Sequence, residues 1–366
     1  MGEQQGSKLT GSQPGVLIPA FNVHPPRFGE RLRLKATHEV VLSAGAVSTP
    51  QILLLSGIGD PDHLIEVGEV LSAKPLELEQ VGIEPVVHLP EVGANLQDHL
   101  MVSLMADFHS GMAFDPFTSF YPSSWLSWAL GSGPLDTSGC GGLAHVRTEV
   151  QDPSDPRPDI QFHMVGLSLA VDWGQVLAPN FGFAPDADLM PWLAEHYGKH
   201  TGSVTPVLSR PKSRGFVKLR SSDPFEHPVI QPNYLADKRD LDSLVAGLKL
   251  AQKLMETEAF KKAGTEFFAP LPYCSHLAIS SDEYWECYVR YMAFTIYHPV
   301  GTVAMGTVLD ARLRVKGVKG LRVADGSVMP RLVGGNTNAP IIMIGEKAAS
   351  MIIADAEQSK KQNTKL

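Results

Sequence analysis

The sequence predicts an α/β fold, incomplete and Rossmann-like, interrupted by a second domain with an antiparallel sheet and flanking helices. Three observations carry that prediction. A strand–turn–helix pattern lies early in the chain and a strand–loop–helix pattern lies late. Between them run short strands separated by Pro- and Gly-rich turns, the texture of an antiparallel sheet rather than of a βαβ series.

Taken in order, residues 1–30 are polar and rich in Pro and Gly, and read as a disordered start. Leu32-Arg33-Leu34-Lys35-Ala36 alternates like a half-buried strand. Glu39 to Leu42 reads as a buried strand running into the small-residue turn Ser43-Ala44-Gly45-Ala46. Thr49 is placed as an N-cap and Pro50 as the first residue of an apolar helix over Gln51–Leu55. Gly57 and Gly59 end it. Such a strand, tight turn and helix is the local geometry of nucleotide-binding α/β folds.

The middle of the chain contains strands at Ile160–Met164 and Gly215–Leu219. Its strongest helix is expected from Asp240 to about Phe260. There Leu241, Leu244, Val245, Leu248, Leu254 and Met255 share one face. Leu321 to Asp325 returns to α/β texture as a short strand ending in an acid, followed by the loop Gly334–Pro340 and an apolar helix over Ile341–Ile353. The domain reading is therefore a first segment at 31–99, an inserted domain at 100–297, a return segment at 298–355 and a polar, frayed tail at 356–366.

Composition narrows the function classes. The 366 residues carry 31 Lys+Arg against 39 Asp+Glu, a net charge of −8. An acidic chain with 43% hydrophobic residues is neither disordered nor a non-specific nucleic-acid binder. No apolar run approaches the roughly 18 residues of a membrane span. No signal peptide is visible, and localisation stays open. Cys140, Cys274 and Cys287 show no C-x-x-C and no zinc-ligand spacing, so no disulfide scaffold is expected.

Several motifs fail in context. Gly139-Cys140-Gly141-Gly142-Leu143-Ala144 fits G-x-G-x-x-A, but no apolar strand precedes it. There is no P-loop and no G-x-S-x-G, which disfavours NTPases and α/β-hydrolases. His196 and His200 are four apart with Gly198 between them, and read as surface histidines rather than metal ligands. Two loops hold more interest. In Tyr297-His298-Pro299-Val300-Gly301-Thr302, the following proline restricts His298 to extended backbone. In Gly335-Asn336-Thr337-Asn338-Ala339-Pro340, Asn338 is placed to cap the last helix, whose N-terminus suits an anion or an electron-rich ring. On residues alone, a core histidine and an ordinary capping loop explain both, and no reaction follows.

Five blocks together resemble the glucose–methanol–choline (GMC) oxidoreductase family. They are Glu39–Gly59, Val92-Gly93-Ala94-Asn95-Leu96-Gln97-Asp98-His99, Arg210–Gly215, His298–Thr302 and Gly335–Pro340. The run Ser281-Asp282-Glu283-Tyr284-Trp285-Glu286-Cys287 resembles invertebrate members similar to FAD/quinone glucose dehydrogenase. The resemblance implies an FAD enzyme that oxidises the CH–OH group of an alcohol, sugar or sterol-like donor, with oxygen or a quinone as electron acceptor. It places Gly45 and Ala46 against the adenosine part of FAD and Asn95 in a loop near the flavin. Asp325 and Gly326 fall at the strand end that approaches the ribityl and diphosphate, and Asn338 and Ala339 near the pyrimidine edge. His298 corresponds to the active-site histidine and Asn336 to its partner. The chemistry agrees without a metal: a near-neutral imidazole accepts the alcohol proton, and an amide orients the same oxygen.

Against the family pattern, the N-terminal G-x-G-x-x-G unit is missing, and residues 68–81 look inserted, as an unspliced intron or a surface loop. The expectation is a truncated chain that does not hold FAD tightly by itself. A folded, non-catalytic remnant that binds a ligand is the alternative to the enzyme.

Overall fold

The computed structural model describes residues 7–10, 16–17, 20–23, 32–72, 83–109, 121–133, 135, 139–170, 179, 182–183 and 188–363. Helices α1 (Gly45–Leu55), α2 (Pro61–Ser72), α3 (Pro122–Ala129), α4 (Leu189–Ala194), α5 (Lys238–Met255), α6 (Glu258–Lys262), α7 (Asp282–Met292) and α8 (Asn338–Asn363) alternate with short strands. The chain divides into two compact units. The first comprises Met1–Asp98, Ser213–Tyr234 and His298–Leu366, and the second His99–Lys212 and Leu235–Tyr297.

In the first unit, Val40–Leu42 and Leu321–Val323 pair in parallel, Val40 opposite Leu321. The early and late α/β patterns thus meet as neighbouring strands. Helix α1 begins at Gly45, earlier than expected, so Thr49 is not its cap and Pro50 lies inside it. The physical reason is visible in the hydrogen bonds. Proline has no N–H to give the carbonyl of Ala46 four residues back. The Thr302 hydroxyl donates to that carbonyl instead, at 2.7 Å. Thr49 Oγ1 meanwhile accepts from the Ala44 N–H at 3.1 Å. Leu53, Leu54, Leu64, Val300, Val323 and Val328 fill the core of this unit.

The structure departs from the sequence reading in four places here. Within 1–30, read as a disordered start, the described residues are strands: Ser7–Thr10 and Ala20–Val23 make an antiparallel sheet with Leu32–Lys35, and Val16–Leu17 pairs in parallel with Val318–Lys319. Strand pairing across the fold overrides the local composition. Segment Ser213–Tyr234 belongs to this unit, not to the inserted domain. It is laced to the Asn95 loop by Leu96 N–H to Gly215 O, Gly215 N–H to Leu96 O and Val217 N–H to Gly93 O. Helix α2 runs through position 72, the first third of the proposed insertion, and residues 73–82 lie outside the described ones. The expected tail is helical to Asn363, with Lys360 and Lys361 in the last turn, where cations suit the helix dipole.

The second unit is built on an antiparallel sheet. Its order is Cys140–Val146, Ile160–Val165, His200–Leu208, then Leu100–Val102 and Leu104–Phe108, with Ala293–Thr295 and Glu266–Phe267 at the far side. The G-x-G-x-x-A match lies largely inside the first of these strands. Helix α5 is capped by the Asp237 carboxylate, which accepts from the Arg239 N–H, and buries Leu241, Leu244, Val245, Leu248 and Met255. It stops at Met255, short of Phe260, because extended Thr257 starts the separate helix α6. Helix α7 is capped by Ser281 and buries Tyr284, Trp285, Tyr288, Val289 and Met292, one stripe at helical spacing. Among the described residues no helix is long and apolar enough to cross a membrane.

Two further corrections concern side chains. His196 is not a surface residue. It is buried, with its ring stacked on Phe268 at 3.5 Å between centroids and its Nδ1 2.9 Å from Asp107 Oδ2. One disulfide joins Cys274 to Cys287, with their Cα atoms 6.0 Å apart across a sequence separation of 13. The odd cysteine count concealed this pair, since spacing alone does not reveal a bridge between a 3₁₀ turn and a helix. Closing a loop of that length restricts the unfolded chain by about 3 kcal/mol. The double substitution Cys274→Ser, Cys287→Ser is therefore expected to lower the urea midpoint of the oxidised protein. Adding reductant should produce the same shift in the unsubstituted protein; an unchanged midpoint in both cases would refute the bond.

Candidate active site

Every predicted site residue lies in the first unit. His298 is half-buried, and its backbone N–H donates to Asp98 Oδ1 at 2.9 Å. Asp98 Oδ2 accepts from the Tyr234 hydroxyl at 2.5 Å. Burial lowers the imidazole pKa from its ordinary value, and the Asp98 charge opposes that shift only in part. The ring is accordingly neutral at pH 7. Exposed Asn336 places its Nδ2 3.4 Å from His298 Nε2, so the two side chains predicted to work together do face each other.

Gln97 holds this arrangement. It is buried, and its backbone exchanges hydrogen bonds with Val300, two residues beyond His298. Its Oε1 accepts from Leu332 N–H at 3.1 Å, and its Nε2 donates to Pro330 O and Asn95 Oδ1, both at 3.2 Å. One amide thereby staples the Asn95 loop, the His298 loop and the approach to α8. Asn95 adopts a φ of 60° and donates from Nδ2 to Gly301 O at 3.1 Å. Its side chain fastens the loop itself.

A second cluster joins the two strand ends. The buried Asp325 carboxylate accepts from Gly45 N–H at 3.0 Å, Thr49 Oγ1 at 2.6 Å and Ser327 N–H at 2.7 Å. This acid is engaged by the protein, so a ligand here meets backbone rather than a carboxylate. Gly45 has a φ of +82° and open space where a Cβ would point. Ala46 is buried, its carbonyl held by Thr302. Gly326 lies against the first turn of α8: a Cβ there would sit 3.2 Å from Ile341 Cδ1 and 3.5 Å from Val300 Cγ1. That contact brings the Asp325 turn, the His298 loop and the α8 N-terminus together. Asn338 is the first residue of α8 rather than its cap, because the first turn closes from Ile341 N–H to Thr337 O. Asn338 and Ala339 are exposed, and a helix leaves its first N–H groups without intrahelical partners.

The surroundings fit a large planar, anionic cofactor such as FAD. Gly45 offers bare backbone before open space, the α8 N-terminus offers donors and positive potential, and the buried Ser327 Oγ has no hydrogen-bond partner. Sequence reasoning does not single out Gln97, Asp98 or Tyr234. Gln97 and Asp98 stand inside the block Val92–His99, where two adjacent polar residues flanked by Leu96 and His99 are the available signal. Tyr234 had none, because its segment was assigned to the other domain.

Two family models described as GMC oxidoreductase match the chain, at residues 24–101 and 211–345. Alcohol dehydrogenase (acceptor) of Pseudomonas putida is 34% identical over 355 residues, covering 94% of this chain and 55% of that protein. Mitochondrial choline dehydrogenase of Homo sapiens is 37% identical over 346 residues, covering 91% and 50%. Glucose dehydrogenase (FAD, quinone) of Drosophila melanogaster is 34% identical over 348 residues, covering 89% and 48%. Among solved structures, a formate oxidase from Aspergillus oryzae superposes with a TM-score of 0.78 at 25% identity, covering 97% of this chain and 60% of that one. The fold is shared with that oxidase over nearly the whole of this chain. The chain belongs to the GMC oxidoreductase family. It spans about half the length of the curated relatives it matches. Similarity running through both family models does not favour the non-catalytic remnant.

Proposed function

We propose that the protein of which this chain forms the matched part is an FAD-dependent oxidoreductase acting on the CH–OH group of a small alcohol donor. The pairing of His298 Nε2 with Asn336 Nδ2 at 3.4 Å carries the proposal. Those two groups can meet one substrate oxygen, the imidazole as proton acceptor and the amide as hydrogen-bond donor. FAD, when bound, supplies the acceptor for the hydride. Gly45 and Ala46 would border its adenosine part, Asp325 and Gly326 its ribityl and diphosphate, Asn95 the flavin loop, and Asn338 and Ala339 its pyrimidine edge. There the α8 N-terminus favours the negative charge that accompanies reduction. In this reading the first unit holds the cofactor and the second carries the substrate-binding surface, with oxygen or a quinone as the final acceptor.

Anaerobic mixing of the FAD-loaded, full-length protein with a panel of alcohols, choline and sugars tests the proposal. At least one donor is expected to bleach the flavin absorbance at a saturable rate. Asn336→Ala should slow that bleaching by about tenfold or more, because orientation of the reacting oxygen is lost. Failure of every CH–OH donor to reduce the flavin would end this reading.

A further inference from the structure

The backbone around His298 is held at single points. Val300 N–H donates to Gln97 O at 2.9 Å, and Pro299 has no N–H to give. The point nearest the imidazole is the N–H of His298 itself, and it goes to a side chain, Asp98 Oδ1, at 2.9 Å. The orientation of the imidazole therefore depends on the orientation of that carboxylate. Asp98 is 8% exposed, so its oxygens rely on protein donors more than on water. Its Oδ2 accepts the Tyr234 hydroxyl at 2.5 Å, the range of charge-assisted O–H···O⁻ bonds. A turn presents Tyr234 for this contact. Asn233 and Leu235 on either side of it hold φ of 53° and 59°, and Asn233 Nδ2 donates to Arg214 O at 2.9 Å. Tyr234 is no core residue: it is 37% exposed and lies outside the hydrophobic core of its unit. Burial of the ring thus gives little reason for a tyrosine here, whereas the bond to Asp98 uses its hydroxyl. Chain topology is an independent observation. Asp98 and Tyr234 each end a segment of the first unit, and His298 begins one. One carboxylate thereby gathers three separate crossings of the chain.

We propose that Tyr234 is a positioning residue for alcohol oxidation: its hydroxyl fixes the Asp98 carboxylate, and Asp98 fixes the His298 backbone so that Nε2 faces the substrate oxygen beside Asn336. This role rests on the oxidoreductase reading of the His298–Asn336 pair. Tyr234 acts on the chemistry through Asp98 and His298, and its own hydroxyl exchanges no proton with the substrate.

Tyr234→Phe in the FAD-loaded, full-length protein tests this role. Loss of the hydroxyl should lower the limiting rate of flavin reduction about fivefold or more and move the half-saturating alcohol concentration by less than about twofold, since it costs orientation rather than binding. The acid limb of the rate, which belongs to His298, should persist. In an Asp98→Ala background the same substitution should change the rate by less than about twofold, because the link it breaks is already gone. Residue-resolved hydrogen exchange gives a readout that needs no turnover. In Tyr234→Phe the His298 amide should exchange about fivefold faster or more. The Val300 amide, bonded to Gln97, should keep its rate, whereas a general loosening of the fold would move both. If no CH–OH donor reduces the flavin, the oxidoreductase reading fails, and exchange still decides whether Tyr234 holds His298. If a donor does reduce it, an unchanged rate in Tyr234→Phe or an equal loss with and without Asp98 overturns the positioning role. Unchanged exchange at His298 overturns it in either case, including one in which Asp98→Ala does not fold.

Discussion

Arg322→Ala is expected to lower the stability of the first unit by about 3 kcal/mol or more, read as a fall in the urea midpoint without a change of slope. Arg322 lies on the strand Leu321–Val323, and its side chain is 2% exposed. Its Nε meets Glu39 Oε2 at 3.0 Å, its Nη2 meets Asp355 Oδ2 at 2.9 Å, and its Nη1 donates to the carbonyl of Arg312. One guanidinium thus ties the start of the paired strand, the loop at Arg312 and the far end of α8. Its removal leaves two partly buried carboxylates facing each other and a carbonyl without its donor. Asp355 retains Arg312 at 2.6 Å, which keeps the loss at the lower end of the range for a broken buried pair. Arg322→Lys should recover only part of it, since one ammonium cannot serve three directions. Arg322→Met combined with Glu39→Gln and Asp355→Asn should be milder than Arg322→Ala alone, because no unpaired charge remains. The pH dependence has a fixed sign. Burial pushes the Asp355 carboxyl up, but hydrogen bonds from Arg322 and Arg312 outweigh it and hold the pKa below the usual value. A depressed folded pKa contributes stability above the unfolded pKa of about 3.9 and loses it as pH falls through the folded one. The gap between Arg322→Ala and the unsubstituted protein should therefore narrow below about pH 4. Equal midpoints at pH 7 would remove the network from any account of the fold.

Arg322 also marks where sequence reasoning stops. Its strand was legible from Leu321-Arg322-Val323, yet an arginine in the middle of a buried strand carries no sign of its partners, which are 283 and 33 residues away. The same division holds elsewhere. Periodicity located α5 and its buried face, because that face repeats every three to four residues. It misplaced the start of α1, because Thr49-Pro50 is a good local cap and the carbonyl freed by Pro50 is satisfied by Thr302, distant in sequence. His298 and Asn336 were legible as loops and through the family blocks, and they do meet. The supporting set was not. Asp98 and Gln97 act through backbone groups of Val300, His298 and Leu332, and such bonds leave no residue pattern. The strands at Ser7–Thr10 and Ala20–Val23 were hidden for a related reason: their Pro- and Gly-rich surroundings predict loop, and they are strands through pairing with each other and, for Ala20–Val23, with Leu32–Lys35.

His298→Ala should reduce the rate of flavin reduction in the FAD-loaded, full-length protein by about 10²–10⁴-fold, the range for a lost general base. Burial depresses the imidazole pKa below its ordinary 6.5, so the acceptor form predominates at neutral pH. As pH falls through that depressed pKa the ring charges and ceases to accept a proton. The rate of the unsubstituted protein should then fall on the acid side with a midpoint below 6.5, and His298→Ala should lack that limb altogether. Asp98 supplies an internal check. Its charge raises the imidazole pKa against burial, and its Oδ1 accepts the His298 backbone N–H. Asp98→Asn removes the charge and keeps an amide oxygen in its place. It should move the acid limb to still lower pH while retaining most of the plateau rate, which a merely structural defect would not do. Asn336→Ala should lower the plateau and leave the midpoint nearly unchanged, because a neutral amide at 3.4 Å adds orientation but little field. An acid limb that survives His298→Ala would assign the proton acceptor to another group. A limb that stays put in Asp98→Asn would show that His298 titrates without feeling the carboxylate beside it.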